Sequence, residues 1–513
     1  MSDIPENPFD SPSPNSIYVS QLMDNETDRI KRRESITATG LVGELANFMS
    51  NNIPTSPDWC ENLAACLVGT IAGATEDGKI REIRNSFGPL RPNIFTIYIG
   101  ASRLGFKTVP LKTVVRPALI RVTEMYNSKV CLENGITIDE FYMRKSGLAK
   151  ADGKEKKSPE WKKEKSFIDK IGTQLVNFEM PENFTSEALV SWLTTHPIGM
   201  IASDEFTNMF KGTTTKDYMS NVMEVLSRLY DSEVEKKATI ARGVENAKNI
   251  HVCFASATTP YLMTLMDDSF FWQGTGNRIL WIVDDVLDKI DLKEEENFAE
   301  FFWNPDKSRE FDAEFERILT LLAGIRNLPT GQLLLSFGAS AELNKYRITM
   351  YNKAVELFMA DMMDRDSSFV AGLAQNAMKL ALIHCIGRYA MDSSSGNYTG
   401  FMEINEEDSG WAIKKMDRHL NFYHKLWELS SRVRSGSTKS YKVDEDRVIS
   451  IIEKIEMTGK KLSVNRLRNQ TGWLKDDCQK VLETMGLNGT IKTVNEVING
   501  KVYTFYTKAN DDT

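Results

Sequence analysis

The stretch Pro92-Asn-Ile-Phe-Thr-Ile-Tyr-Ile-Gly100-Ala-Ser-Arg-Leu-Gly105-Phe-Lys107-Thr108 decides the reading of this chain. Its first half is an alternating, β-branched and aromatic run ending in glycine, which predicts a half-buried or central strand. Its second half is a loop of small residues closed by a lysine and a hydroxyl. Such a loop turns backbone N–H groups inward around phosphate oxygens, and the helix that follows adds a positive dipole end. Gly100 and Gly105 would shape the loop, Lys107 would reach the outer phosphates, and Thr108 would ligate Mg²⁺. The usual spacing is GxxxxGK[ST]; Phe106 makes this loop one residue longer. Pro110 suits the first turn of a following helix.

A phosphate-binding loop that acts on ATP needs carboxylates at the end of a neighbouring strand. Ile198-Gly-Met-Ile-Ala-Ser-Asp204-Glu205 supplies an apolar strand ending in two. Asp204 is expected in the Mg²⁺ shell and Glu205 on the attacking water. Two more strands are predicted, Asn249–Ser256 and Arg278–Asp284. Thr258, in Ser256-Ala-Thr258-Thr259-Pro260, follows the first and is placed to sense a terminal phosphate, or serves only a turn. Arg278, after Gly274-Thr-Gly276-Asn, is either an arginine finger acting in trans or a structural ion-pair partner. Strands alternating with helical patterns (Ser186–Thr195, Tyr218–Tyr230) give an α/β fold with a mostly parallel sheet.

Further out, residues 1–38 are rich in Pro, Ser, Asn and Asp and read as a disordered tail, and 39–90 as a helical segment. The core spans 91–290. Within it, Arg144–Lys165 holds nine Lys/Arg against four Asp/Glu and reads as a solvated insertion loop or a flexible basic arm for phosphates. Residues 291–434 read as an all-α lid block, with helices over Phe311–Ala323, Ala339–Met363, Ser368–Met391 and Ser409–Ser431. Ser435–Ser440 reads as a linker.

Residues 441–513 read as a separate winged helix-turn-helix. Asp444–Met457 is the first helix, Ser463 caps a second, Leu474–Met485 is the third, and Asn499-Gly500 turns a hairpin. From Gly436 to Thr513 there are 13 Lys/Arg against 11 Asp/Glu. Arg466, Arg468, Lys475, Lys480, Lys492 and Lys501 are the candidates to face DNA; a protein-binding winged helix is the alternative.

These motifs together resemble one group of P-loop ATPases: the primase-helicase-like proteins of phages, plasmids and integrated mobile elements. The resemblance rests on Pro92-Asn before a strand, the lengthened loop, Ala202-Ser-Asp-Glu-Phe206, Ser256–Pro260 and Gly274-Thr-Gly-Asn-Arg-Ile-Leu-Trp-Ile-Val283. It covers roughly residues 60 to 290, and more weakly Gln375–Ala390, which looks like the family's lid helix. It implies a P-loop NTPase core of RecA/AAA+ type, with Lys107 and Thr108 on phosphate and Mg²⁺, Asp204 on Mg²⁺, Glu205 activating water and Arg278 as the finger. Phe106 stands where a Gly, Ser or Arg is more usual. No primase motif is apparent. The expected activity is an oligomeric Mg·ATP-dependent DNA motor, a replicative helicase or helicase loader, with a hexameric ring implied by analogy. The alternative is an ATP-binding initiator or regulator that hardly hydrolyses. A third reading is a DNA-packaging or transposition motor; packaging would call for a nuclease carboxylate cluster, which the sequence lacks.

Composition narrows the rest. The 513 residues are 41% hydrophobic and 26% charged, with net charge −8 and pI about 5.5, so the chain is not a polycation that coats nucleic acid. The six cysteines form no CxxC pair, and His419 and His424 miss the four-residue metal spacing. No uninterrupted apolar run reaches membrane-spanning length and no secretion signal opens the chain, so a soluble cytoplasmic protein is expected.

Overall fold

The computed structural model describes residues 36–508 apart from gaps, the longest being 101–105, 216–221, 267–273, 285–304, 395–401 and 468–481. The chain is mixed α/β, mostly helical, around one four-stranded parallel sheet. It divides into two units, 1–427 and 428–513.

The sheet is built from β3 (Phe95–Ile99), β4 (Ile198–Ser203), β7 (His251–Thr258) and β8 (Ile279–Val283), in the spatial order β4-β7-β3-β8. Every residue of β3, β7 and β8 is buried, as in parallel strands covered on both faces, so β3 is central rather than half-buried. The register aligns the strand ends: Ile99 pairs with Thr258 and with Val283, and Ser203 with Ser256. The chain leaves β3 toward one edge to form β4, and leaves β7 toward the other to form β8. With right-handed crossovers these connections lie on opposite faces, so a crevice opens at the carboxyl ends of β3 and β7.

Helices α1 (Gly40–Asn52) and α2 (Pro57–Ala72) precede two short antiparallel strands, β1 (Ile83–Asn85) and β2 (Gly88–Leu90), so the 39–90 segment is not purely helical. Every residue of α2 from Asp58 to Ala72 is buried. The helix lies on the sheet, where Cys66 Sγ reaches the Ile94 and Phe254 carbonyls at 3.8 Å each and Asn62 Nδ2 donates to Thr96 Oγ1 at 3.0 Å. Residues 36–38 are ordered against it: the backbone N–H groups of Thr37 and Ala38 donate to Glu61 Oε1 at 3.0 and 2.8 Å. The rest of the expected tail lies outside the described residues.

After β3 come a π-helical turn (Leu111–Val115) and helix α3 (Arg116–Glu133). The basic stretch 144–165 is neither a loop nor a flexible arm. It lies in α4 (Ile138–Lys150), a 3₁₀ turn (Glu155–Lys157) and α5 (Pro159–Gly172). Thr137 and Ser158 cap the two helices by accepting from Glu140 N and Trp161 N. Phe141, Ile168 and Ile171 are buried, and the charges pair along and between the helices (Arg144 with Glu140 and Glu164, Lys165 with Asp169). Three further helices, α6 (Ser186–Thr195), α7 (Phe206–Thr215) and α8 (Val222–Tyr230), flank β4, and β5 (Glu235–Thr239) with β6 (Gly243–Ala247) forms a hairpin before β7; α9 (Leu262–Leu265) follows it.

The C-terminal half of the first unit holds α10 (Pro305–Gly324), α11 (Phe337–Asp361), α12 (Asp364–Ser394) and the start of α13 (Glu406–Glu456). It is not wholly α, since β9 (Leu334–Leu335) pairs in parallel with β10 (Glu403–Ile404). Residues 366–394 of α12 are long and apolar enough to cross a bilayer, but 78% of the most apolar 18-residue window within them is buried in the protein. The expected linker Ser435–Ser440 is instead part of α13, which runs unbroken for 51 residues.

In the second unit, the end of α13 packs Val448 and Ile452 against Leu462, Leu467, Leu482, Met485, Ile491 and Tyr506. Strands β11 (Ile491–Ile498) and β12 (Lys501–Lys508) form the expected hairpin. Most of the expected third helix, Leu474–Met485, lies outside the described residues.

The first unit is held at α2 by a buried ion cluster. Lys415 Nζ donates to Asp58 Oδ1 at 3.0 Å and Glu61 Oε2 at 2.6 Å, and Arg418 to Asp58 Oδ2 at 2.7 Å. Burial alone would raise the Glu61 carboxyl, but the Lys415 charge and hydrogen bonds from Lys415, Trp411 and Ala38 N–H more than offset it and hold the pKa at about 2. Lys415→Met leaves Glu61 in the interior without a counter-ion, while Asp58 keeps Arg418, and is expected to cost about 3 kcal/mol in urea unfolding. The ordinary Glu61 value of 4.5 is above the folded one, so the unfolded chain takes up the proton first. The stability that Glu61 contributes is present above pH 4.5 and lost as pH falls toward 2. Glu61→Gln should flatten that part of the stability–pH curve; an unchanged slope would refute the assignment.

Candidate functional site

Four of the predicted residues meet at the carboxyl end of the sheet. Gly100 closes β3, its N–H donating to Thr258 O at 3.1 Å. A Cβ there would lie 2.6 Å from the Tyr98 ring, so only glycine fits. Gly105 lies outside the described residues. Phe106 has φ +43°, a left-handed conformation costly for a bulky side chain. The extra residue is therefore strained, and it directly precedes the lysine.

Lys107 is 8% exposed. Its carbonyl accepts from the indole Nε1 of Trp59 on α2 at 3.0 Å, and the Trp59 ring stacks on Tyr98, with centroids 5.4 Å apart. Its Nζ lies 3.6 Å from Glu205 Oε2, an ion-pair distance beyond hydrogen-bond reach, and has no hydrogen-bond acceptor. Burial lowers the pKa of the ammonium, with the Glu205 charge opposing. Thr108 follows, half-buried, its carbonyl accepting from Lys112 N at 3.1 Å as the π-helical turn begins.

Glu205, one residue past the first carboxylate beyond β4, is held from two sides. Oε2 faces Lys107, and Oε1 accepts from Thr258 Oγ1 at 3.0 Å; Thr258 in turn shares a hydrogen bond with Thr207 at the start of α7. The hydroxyl expected to sense a phosphate thus touches the carboxylate expected to activate water. That contact is possible because Thr258 ends β7, the strand between β3 and β4.

Asp204 faces elsewhere. Its Oδ2 takes Lys112 Nζ at 2.7 Å, and its Oδ1 takes Arg116 NH2 at 3.1 Å. Arg116 also donates to Ala202 O at 2.9 Å and pairs with Glu182, whose Oε2 accepts from Asp204 N at 3.3 Å. Both oxygens of the expected metal ligand are already engaged. Among the described residues no group of three or more His, Cys, Asp or Glu could cage a metal. Hydroxyl and carboxylate oxygens are the right chemistry for Mg²⁺, which is held by one or two carboxylates plus substrate phosphates. Glu205 and Thr108 fit that description; Asp204 does so only by releasing Lys112.

Arg278 does not join this group. It lies at the amino end of β8, roughly 16 Å of strand from the carboxyl end. It pairs with Asp231 at 2.7 Å and donates to Gly274 O at 2.9 Å. Of the candidate DNA contacts, Arg466 is exposed and donates to Lys461 O at 2.6 Å, and Lys492 is exposed on β11. Lys501 opens β12. Arg468, Lys475 and Lys480 lie outside the described residues.

The sequence reading missed Trp59, Tyr98, Lys112, Arg116 and Thr207. Lys112 and Arg116 carried a signal, being four apart on the helix that follows the loop. Trp59 carried none, because its role depends on α2 packing over the sheet. The chain matches no known family model and no curated protein.

A buried cation without an acceptor costs stability. Lys107→Met keeps the stem and drops the charge, and is expected to raise the unfolding free energy by about 1 kcal/mol. Equal or lower stability in urea would mean that the ammonium is already satisfied.

Proposed function

We propose that the crevice at the carboxyl ends of β3, β4 and β7 binds and hydrolyses a nucleoside triphosphate, and that the chain is a P-loop ATPase acting on DNA. One observation carries the reading. Among the described residues three lysines are buried, Lys107, Lys379 and Lys415. Lys379 donates to Asn93 Oδ1 and Tyr230 O at 3.0 and 2.9 Å, and Lys415 to two carboxylates. Only Lys107 lacks an acceptor. It sits where a strand runs into a helix start, at the crevice the strand order opens. An anion bearing several oxygens would supply what Lys107 lacks.

The roles follow from the geometry. Lys107 would move from Glu205 to the outer phosphates. Freed of the lysine, Glu205 would accept a proton from the attacking water while Thr258 holds its other oxygen in place. Mg²⁺, when bound, would neutralise charge on the outer phosphate oxygens. Arg278 is too far along β8 to serve its own chain's site, so a role at the triphosphate would be at a neighbouring subunit's, as in a ring. The second unit, helix ends followed by a hairpin, supports a winged-helix reader in which Arg466 and Lys492 touch phosphates.

A second reading, an ATP-gated initiator or regulator with little turnover, is favoured by the engaged Asp204 and the strained Phe106. The same assay separates the two. The motor reading expects Lys107→Ala to lose ATP binding, and Glu205→Gln to keep binding while losing about 100-fold or more in turnover. Binding without measurable turnover in the wild type selects the regulator. Wild-type binding unaltered by Lys107→Ala would refute the site.

For the second unit, Arg466→Ala and Lys492→Ala are each expected to weaken DNA binding across sequences and to lower the salt slope by about 1. An unchanged slope in both would assign this unit to a protein partner.

A further inference from the structure

Helix α11 carries two apolar faces. Ala339, Leu343, Tyr346, Met350 and Ala354 are buried on one. On another, Phe337, Ile348, Tyr351, Val355, Phe358 and Met359 are exposed, from 41% for Phe358 to 93% for Phe337. At 100° per residue these six fall within an arc of about 100° over about 33 Å; the arc is apolar from Ile348 to Met359, and between Phe337 and Ile348 it carries Ala341 and the polar Asn344. A helix packed on one side only would carry polar residues there.

We propose that this stripe is a self-association surface, on which α11 packs antiparallel against α11 of a second copy of the chain. Area is the first argument. The six side chains expose roughly 600 Å², against about 800 Å² per partner in a standard interface and well beyond scattered surface residues. The second argument is symmetry. An isologous pair needs a patch complementary to itself. With a twofold axis at Ile348, Phe337 lies opposite Met359 and Ala341 opposite Val355. Large residues then close both ends, a small residue faces a branched one between them, Asn344 faces Asn352, whose amides can pair, and Ile348 meets its own copy.

Charge argues against other occupants. The exposed charges on α11, Glu342, Lys345, Arg347 and Glu356, are of both signs. Nucleic acid and anionic lipid surfaces would call for a predominantly basic flank. The inference does not rest on nucleotide binding and stands or falls without it.

The test is the mass of the full chain, without nucleotide, by light scattering across micromolar concentrations. The wild type is expected at an even multiple of the monomer mass. Ile348→Glu should weaken self-association about thirtyfold or more while leaving far-UV circular dichroism unchanged, since the side chain faces solvent in the monomer. A twofold at this residue also predicts that Ile348→Cys forms a self-disulfide on oxidation and that Thr349→Cys, turned off the stripe, does not. The described cysteines are all buried, so the reporter thiol stands apart from them. A monomeric wild type, an assembly untouched by Ile348→Glu, or equal cross-linking at position 349 would each overturn the proposal.

Discussion

The first unit depends on enclosing α2 on all sides. A helix with no solvent-facing stripe must satisfy every polar side chain internally, and each direction it faces becomes a fixed contact. Asp58 and Glu61 take Lys415 and Arg418 of α13. Asn62 donates to Thr96 on β3 and also reaches His419 Nε2, while His419 Nδ1 meets Trp281 O on β8. Burial pushes the His419 pKa down to about 3. The neutral ring can therefore donate from Nδ1 to the carbonyl and accept at Nε2 from the amide. Helix, sheet and C-terminal helices are thus registered by one set of directional bonds, and Trp59, on the same helix, fixes the Lys107 carbonyl. Packing and site geometry share a cause.

That arrangement places strain where it is tolerated. A left-handed Phe106 and an ammonium with no acceptor are each unfavourable alone, and they are adjacent. Neither would persist on a soft scaffold. Here β3 is buried throughout and bonded on both sides, so the loop begins and ends at points the core holds. Local cost set against rigid surroundings is what the proposed binding site would require.

Much of the sheet was legible because buried parallel strands leave a plain signal. Ile198–Ser203 and the strand after Arg278 fall within a residue of their expected bounds, and Glu205, Thr258 and Lys107 meet as their strand-end positions imply. What failed has physical reasons. Between 144 and 165 lysines outnumber apolar residues, but Ser158-Pro159 was a capping signal, and three buried side chains suffice to anchor two helices. Ser435–Ser440 has turn-forming composition, and helical continuity across it overrode that preference. The pairing of Asp204 with Lys112 and Arg116 was beyond the sequence: it requires knowing that the helix after the loop passes over the end of β4. Arg278, expected to open its strand, instead ends the 3₁₀ turn just before β8, and its distance from the other site residues depends on strand direction.

The two ends of the sheet differ in how they hold a buried lysine. At the amino end, Asn93 Nδ2 donates to the Leu229 and Tyr230 carbonyls at 3.2 and 2.9 Å, and its Oδ1 accepts from Lys379. Lys379 also lies 3.5 Å from the Tyr230 ring centroid, and Arg278 neutralises Asp231 beside it. Burial lowers the Lys379 pKa to about 7, with Asp231 opposing. Every one of these polar groups nevertheless has a partner. Among the described residues at this end, His251 Nδ1 at the start of β7 is a buried atom without a hydrogen-bond partner. At the carboxyl end the same sheet leaves Lys107 buried, charged and without an acceptor. The sheet thus holds Lys379 by hydrogen bonds at one end and Lys107 by an ion pair 3.6 Å from Glu205 at the other. A cation so placed, beside a helix start, is what the proposed triphosphate site would use.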